Sequence, residues 1–520
     1  MKEKKGKKEE IPKTRSSRQK QAVQKQAVET EIAKAAETAE STLGITAKKE
    51  GDFSEWYNQV VLKAGLADYS SVKGFMTIKP NGYAIWENIQ KKFDERIKKH
   101  GVRNAYFPLL IPESFFEKEA EHAKGFEPEV AWVLRKEEDN EKSERLAIRP
   151  TSEAIICDSF SKWVRSHRDL PLKVNQWVNI VRWEIKMTKL FIRTREFLWQ
   201  EGHCIYETER EAEEETFAFL EEYRDFIEKE LAIPVLIGRK TDKEKFAGAL
   251  YTLTTEAFMP DGRALQLATS HNLGNDFMKV FNVQYLGRDA EKHYPWYISW
   301  GMSTRMIGAL VMLHSDNKGL VLPPRIAPLQ IIIIPILYGD DKKDKAVIEE
   351  AEKIRKMLNE FAVDVDLRKE YTAGWKFNEW ELKGVPLRIE IGPKDVAEKR
   401  VVFVRRNTGK EEGVKIDELK QKTRETLEEM QKEIFEKASE FLKKSIVEVR
   451  DFKEFLRAVE NKKLIKAFFC GARECEDKIK EKSEGVTSRC ISLKEKPPEN
   501  AKCVYCGNKA KHIVYFARCY

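Results

Sequence analysis

Long apolar runs are missing from this chain: the stretch Leu329 to Leu337 is far shorter than the ~20 residues a membrane-spanning helix requires, so no membrane partner is expected. The N-terminus is rich in Lys and Glu and has no apolar core, which excludes a secretory signal. Cysteine is scarce, 8 in 520 residues, and not spread as in a small disulfide-stapled domain; a reducing, cytoplasmic location is expected. No Gly-rich phosphate loop, no His-Glu-x-x-His and no defensible Ser/His/Asp arrangement occurs, which removes P-loop, zincin and serine-hydrolase chemistry. No internal repeat of useful length is present.

What is present fits a soluble protein of several domains, 35% charged and 41% hydrophobic. The net charge of +8 is uneven, because residues 1–20 hold nine Lys/Arg against three Glu. Nucleic-acid contacts by the folded part must therefore come from local patches. Residues 1–50 are poor in aromatics and are expected to form a disordered basic extension.

From Phe53 onward the pattern is that of a mixed α+β domain. A helix is expected over Trp86 to His100, with Ile89, Phe93 and Ile97 on one face and Gly101 ending it. Strands are expected at Ala105 to Pro112, Gln176 to Arg182, Phe197 to Tyr206 and Leu231 to Gly238, with a charged helix over Glu207 to Glu230. The composition shifts at Leu322 to Pro328. Strand 329–337, helix 345–361 and strands 363–367, 387–391 and 400–404 then describe a small α/β domain. A long charged helix over 416–444 precedes a last unit that carries a cysteine cluster.

Five groups of residues carry candidate chemistry. The hairpin after Arg182-Trp-Glu184 places Lys186, Lys189, Arg193 and Arg195 in its loop, cations suited to polyphosphate, although a solvated basic hairpin reads the same way. Arg149-Pro-Thr151-Ser152-Glu153 opens a helix, either as a plain N-cap or as a seat for a substrate ammonium. Gln266-Leu-Ala-Thr269-Ser-His271 is dense in short polar groups and could line a nucleotide or amino-acid pocket. Gly301-Met-Ser303-Thr-Arg305 opens another helix with a cation where the helix dipole prefers an anion, a conflict that points to a ligand. Cys470/Cys475 and Cys503/Cys506 suit a structural tetrahedral Zn²⁺ site, with a disulfide pair as the rival.

Together these residues resemble class II aminoacyl-tRNA synthetases: Arg182-Trp-Glu184 with Arg193 to His203 resembles motif 2, Gly301 to Arg305 motif 3, and the helix ending at Gly101 with Phe107-Pro108 motif 1. The wording of Phe53-Ser-Glu-Trp-Tyr57, Arg149 to Glu153, Arg195 to His203 and Thr269-Ser-His271 resembles the prolyl-tRNA synthetases of the archaeal/eukaryotic-like type, from about residue 50 to Tyr520. The resemblance implies a catalytic domain at 51–325 with an antiparallel sheet flanked by helices, an α/β anticodon-binding domain at 326–425, and a linker helix with a zinc-binding α+β domain at 426–520. It implies ATP-dependent attachment of L-proline to tRNA(Pro) through prolyl-adenylate, with pyrophosphate and AMP released. Thr151, Glu153, Arg182, Trp199, His203 and His271 are then expected at proline. Arg182, Glu184, Arg193, Thr194, Phe197, Gln266, Thr269, Ser303 and Arg305 are expected at ATP, with Mg²⁺, and Arg182 and Arg305 as the catalytic pair. Phe197 and Arg305 are expected to sandwich the adenine. Arg405 and Arg406 could contact anticodon phosphates or be solvated hairpin charges. A homodimer is expected, with other synthetase-complex proteins as possible partners of the N-terminal extension. Only about a hundred residues separate His203 from Gly301, too few for an inserted editing domain. A synthetase-like tRNA-binding module without catalysis and a class II synthetase for threonine are the competing readings.

Overall fold

A computed structural model describes residues 44–122, 129–134 and 144–520. The expected disordered extension falls mostly on residues 1–43, which lie outside the described residues. Residues 44–50 correct its boundary: Ile45 and Ala47 pack on the core, and Lys49 Nζ donates to the carbonyls of Leu313 at 3.3 Å and Ser315 at 2.7 Å.

The first module is built on an antiparallel sheet. Its strands are β1 (Leu172–Val181), β2 (Glu196–Tyr206), β3 (Leu236–Arg239), β4 (Tyr251–Phe258), β5 (Arg263–Gly274) and β6 (Trp296–Ser303), in spatial order β3-β4-β5-β6-β2-β1. Its helices include α1 (Pro80–Lys99), α2 (Glu153–Trp163), α3 (Glu209–Lys229) and α4 (Arg305–His314). Ile89, Phe93 and Ile97 of α1 are buried, as their spacing requires. Thr208 and Glu211 form a reciprocal capping box that starts α3. The apolar face of α3 then lies under the sheet, with Phe219 stacked on Trp300 at 3.9 Å and Tyr223 stacked on Phe93 at 4.9 Å. Gly202 makes room for this, since a Cβ there would stand 2.1 Å from the Trp300 ring. The residues between His203 and Gly301 are taken up by α3, β3, β4 and β5 with their connections.

Two expected strands shrink. Within 105–112 only Leu110–Pro112 pairs as a strand; the Phe107 N–H donates instead to Gln176 Oε1 at 3.1 Å, and Pro108 has no N–H to offer a ladder. Pro234 and the left-handed Ala232 (φ 55°) delay β3 to Leu236.

The second module is a five-stranded sheet of β7 (Ile331–Pro335), β8 (Val363–Val365), β9 (Leu387–Ile391), β10 (Arg400–Arg405) and β11 (Glu411–Lys415), in order β8-β7-β9-β10-β11. β7 runs parallel to β8 and β9 and is buried throughout, which is why it reads as unbroken isoleucine. Its helix α5 (Asp341–Met357) starts four residues before the expected one because Asp340 accepts the Lys343 N–H. The helix α6 (Ala373–Lys383) and the strand β11 were not foreseen.

The long helix α7 (Leu419–Ser445) leads to β12 (Ile446–Val449), β13 (Leu464–Phe469), α8 (Arg473–Lys482), β14 (Thr487–Ser492) and β15 (His512–Cys519). This last unit is not a separate appendage. β14 pairs with β3 through Ile491↔Arg239 and Ser492↔Gly238, so one sheet of eleven strands runs through both units. A buried ion network crosses the junction: Glu256 of β4 meets Lys240 Nζ at 2.6 Å and Arg489 Nη2 at 2.9 Å. Tyr520 donates its hydroxyl to Asp261 at 2.6 Å, and Lys189 lies over its ring.

Arg405 and Arg406 match neither expectation. Arg405 pairs with Glu433 at 2.6 Å on α7. Arg406 holds both Asp316 oxygens, at 2.8 and 2.7 Å. Both are buried and tie modules together. Among the described residues no helix is long and apolar enough to cross a membrane.

Candidate active site

Strand register assembles the site. Thr252, His271, Ser299 and His203 stand side by side across β4, β5, β6 and β2, and Thr254, Thr269, Gly301 and Glu201 form the next row along the same face. Side chains two apart on a strand share a face. Residues spread over β2, β5 and β6 therefore line one cavity of about 260 Å³, with Thr151 and Glu153 entering from the start of α2 and Arg305 from the start of α4.

Most of the expected residues meet here: Thr151, Glu153, Arg182, Phe197, Trp199, His203, Gln266, Thr269, His271, Ser303 and Arg305 all line the cavity. Three do not. Glu184 and Arg193 are exposed on the hairpin outside it, and Thr194 is buried with its hydroxyl donated to the Glu196 carbonyl at 2.7 Å. Two of the loop cations also have structural tasks. Lys189 sits 4.6 Å from the Tyr57 ring centre, and Arg195 stacks 4.4 Å from that of Trp183 while bonding the carbonyls of Ile185 and Lys73.

One end of the cavity is anionic and firmly held. Glu201 accepts from Ser152 Oγ at 2.5 Å, from Gln176 Nε2 at 2.7 Å and from His203 Nε2 at 3.0 Å. A carboxylate only accepts, so His203 carries its proton on Nε2 and takes the Tyr297 hydroxyl on Nδ1 at 2.5 Å. Thr151 Oγ1 donates to Glu153. The plain N-cap reading therefore fails, since Ser152 makes no side-chain capping bond and both hydroxyls are turned to carboxylates. Ser299 Oγ and Trp199 Nε1 are buried without a protein partner.

The other end is cationic. Arg182 lies over the Phe197 and Trp199 rings at 5.6 and 5.7 Å and donates Nε to the Pro150 carbonyl. Arg305 donates to the carbonyls of Ile192 and Gln266 at 3.1 and 3.2 Å. Neither guanidinium is within ion-pair distance of a carboxylate among the described residues. Burial and the nearby Arg182 bring Arg305 down to about 10, with Arg193 adding to the effect; it stays charged at neutral pH. Burial lowers Arg182 too, against the pull of Glu184, Glu153 and Glu201. Two desolvated cations that repel each other across a cavity create a potential that an anion relieves.

His271 sits between the two ends. Its ring nitrogens each meet a threonine hydroxyl at 2.9 Å, Thr252 at Nδ1 and Thr269 at Nε2, and Phe246 packs on it at 4.9 Å. Burial first, then His203 and Arg182, push it down to about 3, so it is neutral at pH 7. The folded chain then holds fewer protons than the unfolded one between pH 3 and 6.5. Stability present above pH 6.5 is lost as pH falls through that window. His271→Gln is expected to shrink the stability difference between pH 7.0 and 4.5, as read by urea unfolding at both values.

Sequence reasoning missed Glu201, Ser299, Thr252 and the segment Glu244 to Phe246. The first two were readable, because each stands two residues from a recognised neighbour on its strand. Glu244 to Phe246 was not, since a charged loop reads as solvated until the β3–β4 connection folds it over the sheet.

At the far end of the chain, Cys470, Cys475, Cys503 and Cys506 bring their sulfurs within 4.8 Å of one another, and all are free thiols. Gly471 (φ 85°) and Gly507 (φ 73°) make the two tight turns, and the Ala472 N–H points to Cys470 Sγ at 3.5 Å. No disulfide joins the pairs.

Comparison with known proteins follows the same division. Residues 134–314 match the tRNA synthetase class II core domain (G, H, P, S and T), residues 330–426 an anticodon binding domain, and residues 452–520 the prolyl-tRNA synthetase C-terminal domain. A proline--tRNA ligase of Natranaerobius thermophilus is 50% identical over 480 residues, 92% of this chain and 98% of the relative. One from Alkaliphilus oremlandii is 49% identical over 473 residues (91% and 97%), and one from Lachnoclostridium phytofermentans 50% over 470 (90% and 97%).

Proposed function

The chain belongs to the prolyl-tRNA synthetases, class II enzymes that attach proline to tRNA, and from that premise we propose how its own residues divide the work. The observation that carries the reading is the polarity of one cavity: carboxylates at Glu153 and Glu201, unpaired guanidiniums at Arg182 and Arg305.

Proline's ammonium is held by Glu153 with Thr151, its ring lies against Trp199 and His203, and neutral His271 completes that wall. ATP places its adenine between Phe197 and Arg305, with Gln266, Thr269 and Ser303 along the nucleotide. Glu184 and Arg193 reach the triphosphate from the hairpin. A proline carboxylate oxygen attacks the α-phosphorus as the bond to pyrophosphate breaks, giving prolyl-adenylate. The carboxylate is already a nucleophile, so no general base is needed; alignment and neutralisation by Arg182 and Arg305 lower the barrier. The terminal ribose 3′-hydroxyl of tRNA then attacks the acyl carbon and AMP departs. Mg²⁺ accompanies ATP and supplies charge to the phosphates. Glu244, a cavity carboxylate with no side-chain partner among the described residues, is suited to meet it.

Zn²⁺ fits the four cysteines: the tetrahedron of a Zn–S₄ centre has sulfurs about 3.8 Å apart, and Cys470 and Cys506 Sγ stand at 3.8 Å. Such an ion would tie the two cysteine turns together. Cys475→Ser is expected to lower bound zinc by about one equivalent and expose the C-terminal unit to protease, as measured by metal analysis and limited proteolysis. A zinc content unchanged from wild type would refute the site. A catalytic domain that begins by residue 44 and runs to 325, the limits 326–425 and 426–520, a cytoplasmic homodimer, and contacts of the N-terminal extension with other synthetases belong to the same reading.

The deciding experiment is ATP–pyrophosphate exchange against a panel of amino acids. Proline-dependent exchange is expected to dominate; exchange supported best by threonine, or none at all, would replace the reading with one of its competitors.

A further inference from the structure

A second cavity, of about 240 Å³, opens where the turn between β4 and β5 meets the C-terminal unit. Arg263, Lys462, Lys463 and Arg518 line it, with Asp261 as its one carboxylate. β5 and β15 meet there in parallel register, which sets Arg263 directly opposite Arg518. Like charges facing each other across a strand pair are unfavourable without a counter-charge. Lys462 is held in the left-handed region (φ 52°), and its Cβ lies 2.4 Å from where a Cβ on Gly262 would stand, so only glycine lets the turn come this close.

Asp261 offsets only part of this charge, one carboxylate facing four cations. It accepts the Tyr520 hydroxyl at 2.6 Å and lies 3.7 Å from Arg263 Nε. Lys463 donates to the Lys444 carbonyl at 3.1 Å. The side chains of Lys462 and Arg518 have no hydrogen-bond or ion-pair partner among the described residues, and both are exposed.

We propose that this cleft grips the phosphodiester backbone of the bound tRNA, making the C-terminal unit part of the RNA-binding surface. The proposal rests on the reading that the chain charges tRNA. Exposed cations drawn from two modules suit the successive charges of a polyanion, and such contacts position the nucleic acid without reading its sequence. Arginine's fork suits phosphate oxygens bidentately.

The test is the double variant Arg518→Glu/Lys462→Glu, assayed for aminoacylation at several salt concentrations and for proline-dependent exchange without tRNA. The KM for tRNA is expected to rise about tenfold and the slope of log KM against log salt to fall by about 2, the value for two lost phosphate contacts, while exchange stays at the wild-type level. An unchanged tRNA KM and salt slope would overturn the proposal. Inorganic phosphate and pyrophosphate are titrated calorimetrically in parallel. If the variant loses their binding while the tRNA KM does not move, the cleft serves a small anion and the RNA reading falls. Absence of proline-dependent exchange in the unsubstituted protein would fault the activity reading, not the cleft.

Discussion

Arg182→Ala is expected to lower proline-dependent ATP–pyrophosphate exchange by at least about 10²–10³-fold, the cost of removing one preorganised charge aimed at a developing anion. The expectation rests on where the guanidinium stands. It faces the same cavity as Arg305 and Glu153, it is desolvated, and among the described residues no carboxylate within ion-pair distance competes for it. Its fork can span proline's carboxylate and the α-phosphate together, which the point charge of lysine cannot do, so Arg182→Lys should restore little. The loss should appear in kcat more than in the KM for proline, because the interaction strengthens as charge builds on the phosphorus. Melting temperature serves as the control: among the described residues the side chain makes a single hydrogen bond, from Nε to the Pro150 carbonyl. Exchange within a fewfold of wild type would show that the arginine is a bystander.

Glu256→Ala is expected to destabilise the protein by about 3–5 kcal/mol, the range for breaking a buried ion pair and stranding its partner. Here two cations are stranded. Lys240 and Arg489 are both buried, and Glu256 holds one on each oxygen. Burial by itself would raise the Glu256 carboxyl, yet Lys240 and Arg489 outweigh it and hold it below the ordinary glutamate range. Its contribution is therefore complete at neutral pH and is lost as pH falls through that depressed value. The network joins β4 to the C-terminal unit beside the β3–β14 seam, so the variant should also release that unit. Urea unfolding and protease cleavage near Ser445 check both consequences. A loss below about 1 kcal/mol would mean that water reaches the cations and solvates them.

The parts of the site that were legible lie where chemistry and local pattern coincide. Arg305 at a helix start conflicts with the helix dipole, and that conflict marked the cavity; Thr151-Ser-Glu153 at another helix start read equally as a plain cap and was assigned to the site only through the resemblance. The cysteine pairs were legible by spacing alone. Legibility failed where a residue's environment is made by a distant one. Lys189 and Arg195 look like free hairpin cations until Tyr57 and Trp183 take them up. Arg405 and Arg406 look solvated until α7 and Asp316 arrive from other parts of the chain.

By itself the sequence determined the order of the modules, the helices with a clear apolar stripe, the buried isoleucine strand, and which residue types could hold a nucleotide and an amino acid. These are set by short-range periodicity and by side-chain chemistry, which a linear reading carries intact. The tertiary structure alone decided which of those residues share a cavity, that the last unit continues the catalytic sheet, and that Arg263 faces Arg518. Strand register and domain docking bring together positions hundreds of residues apart, and the burial and charge that such contacts create have no local signature.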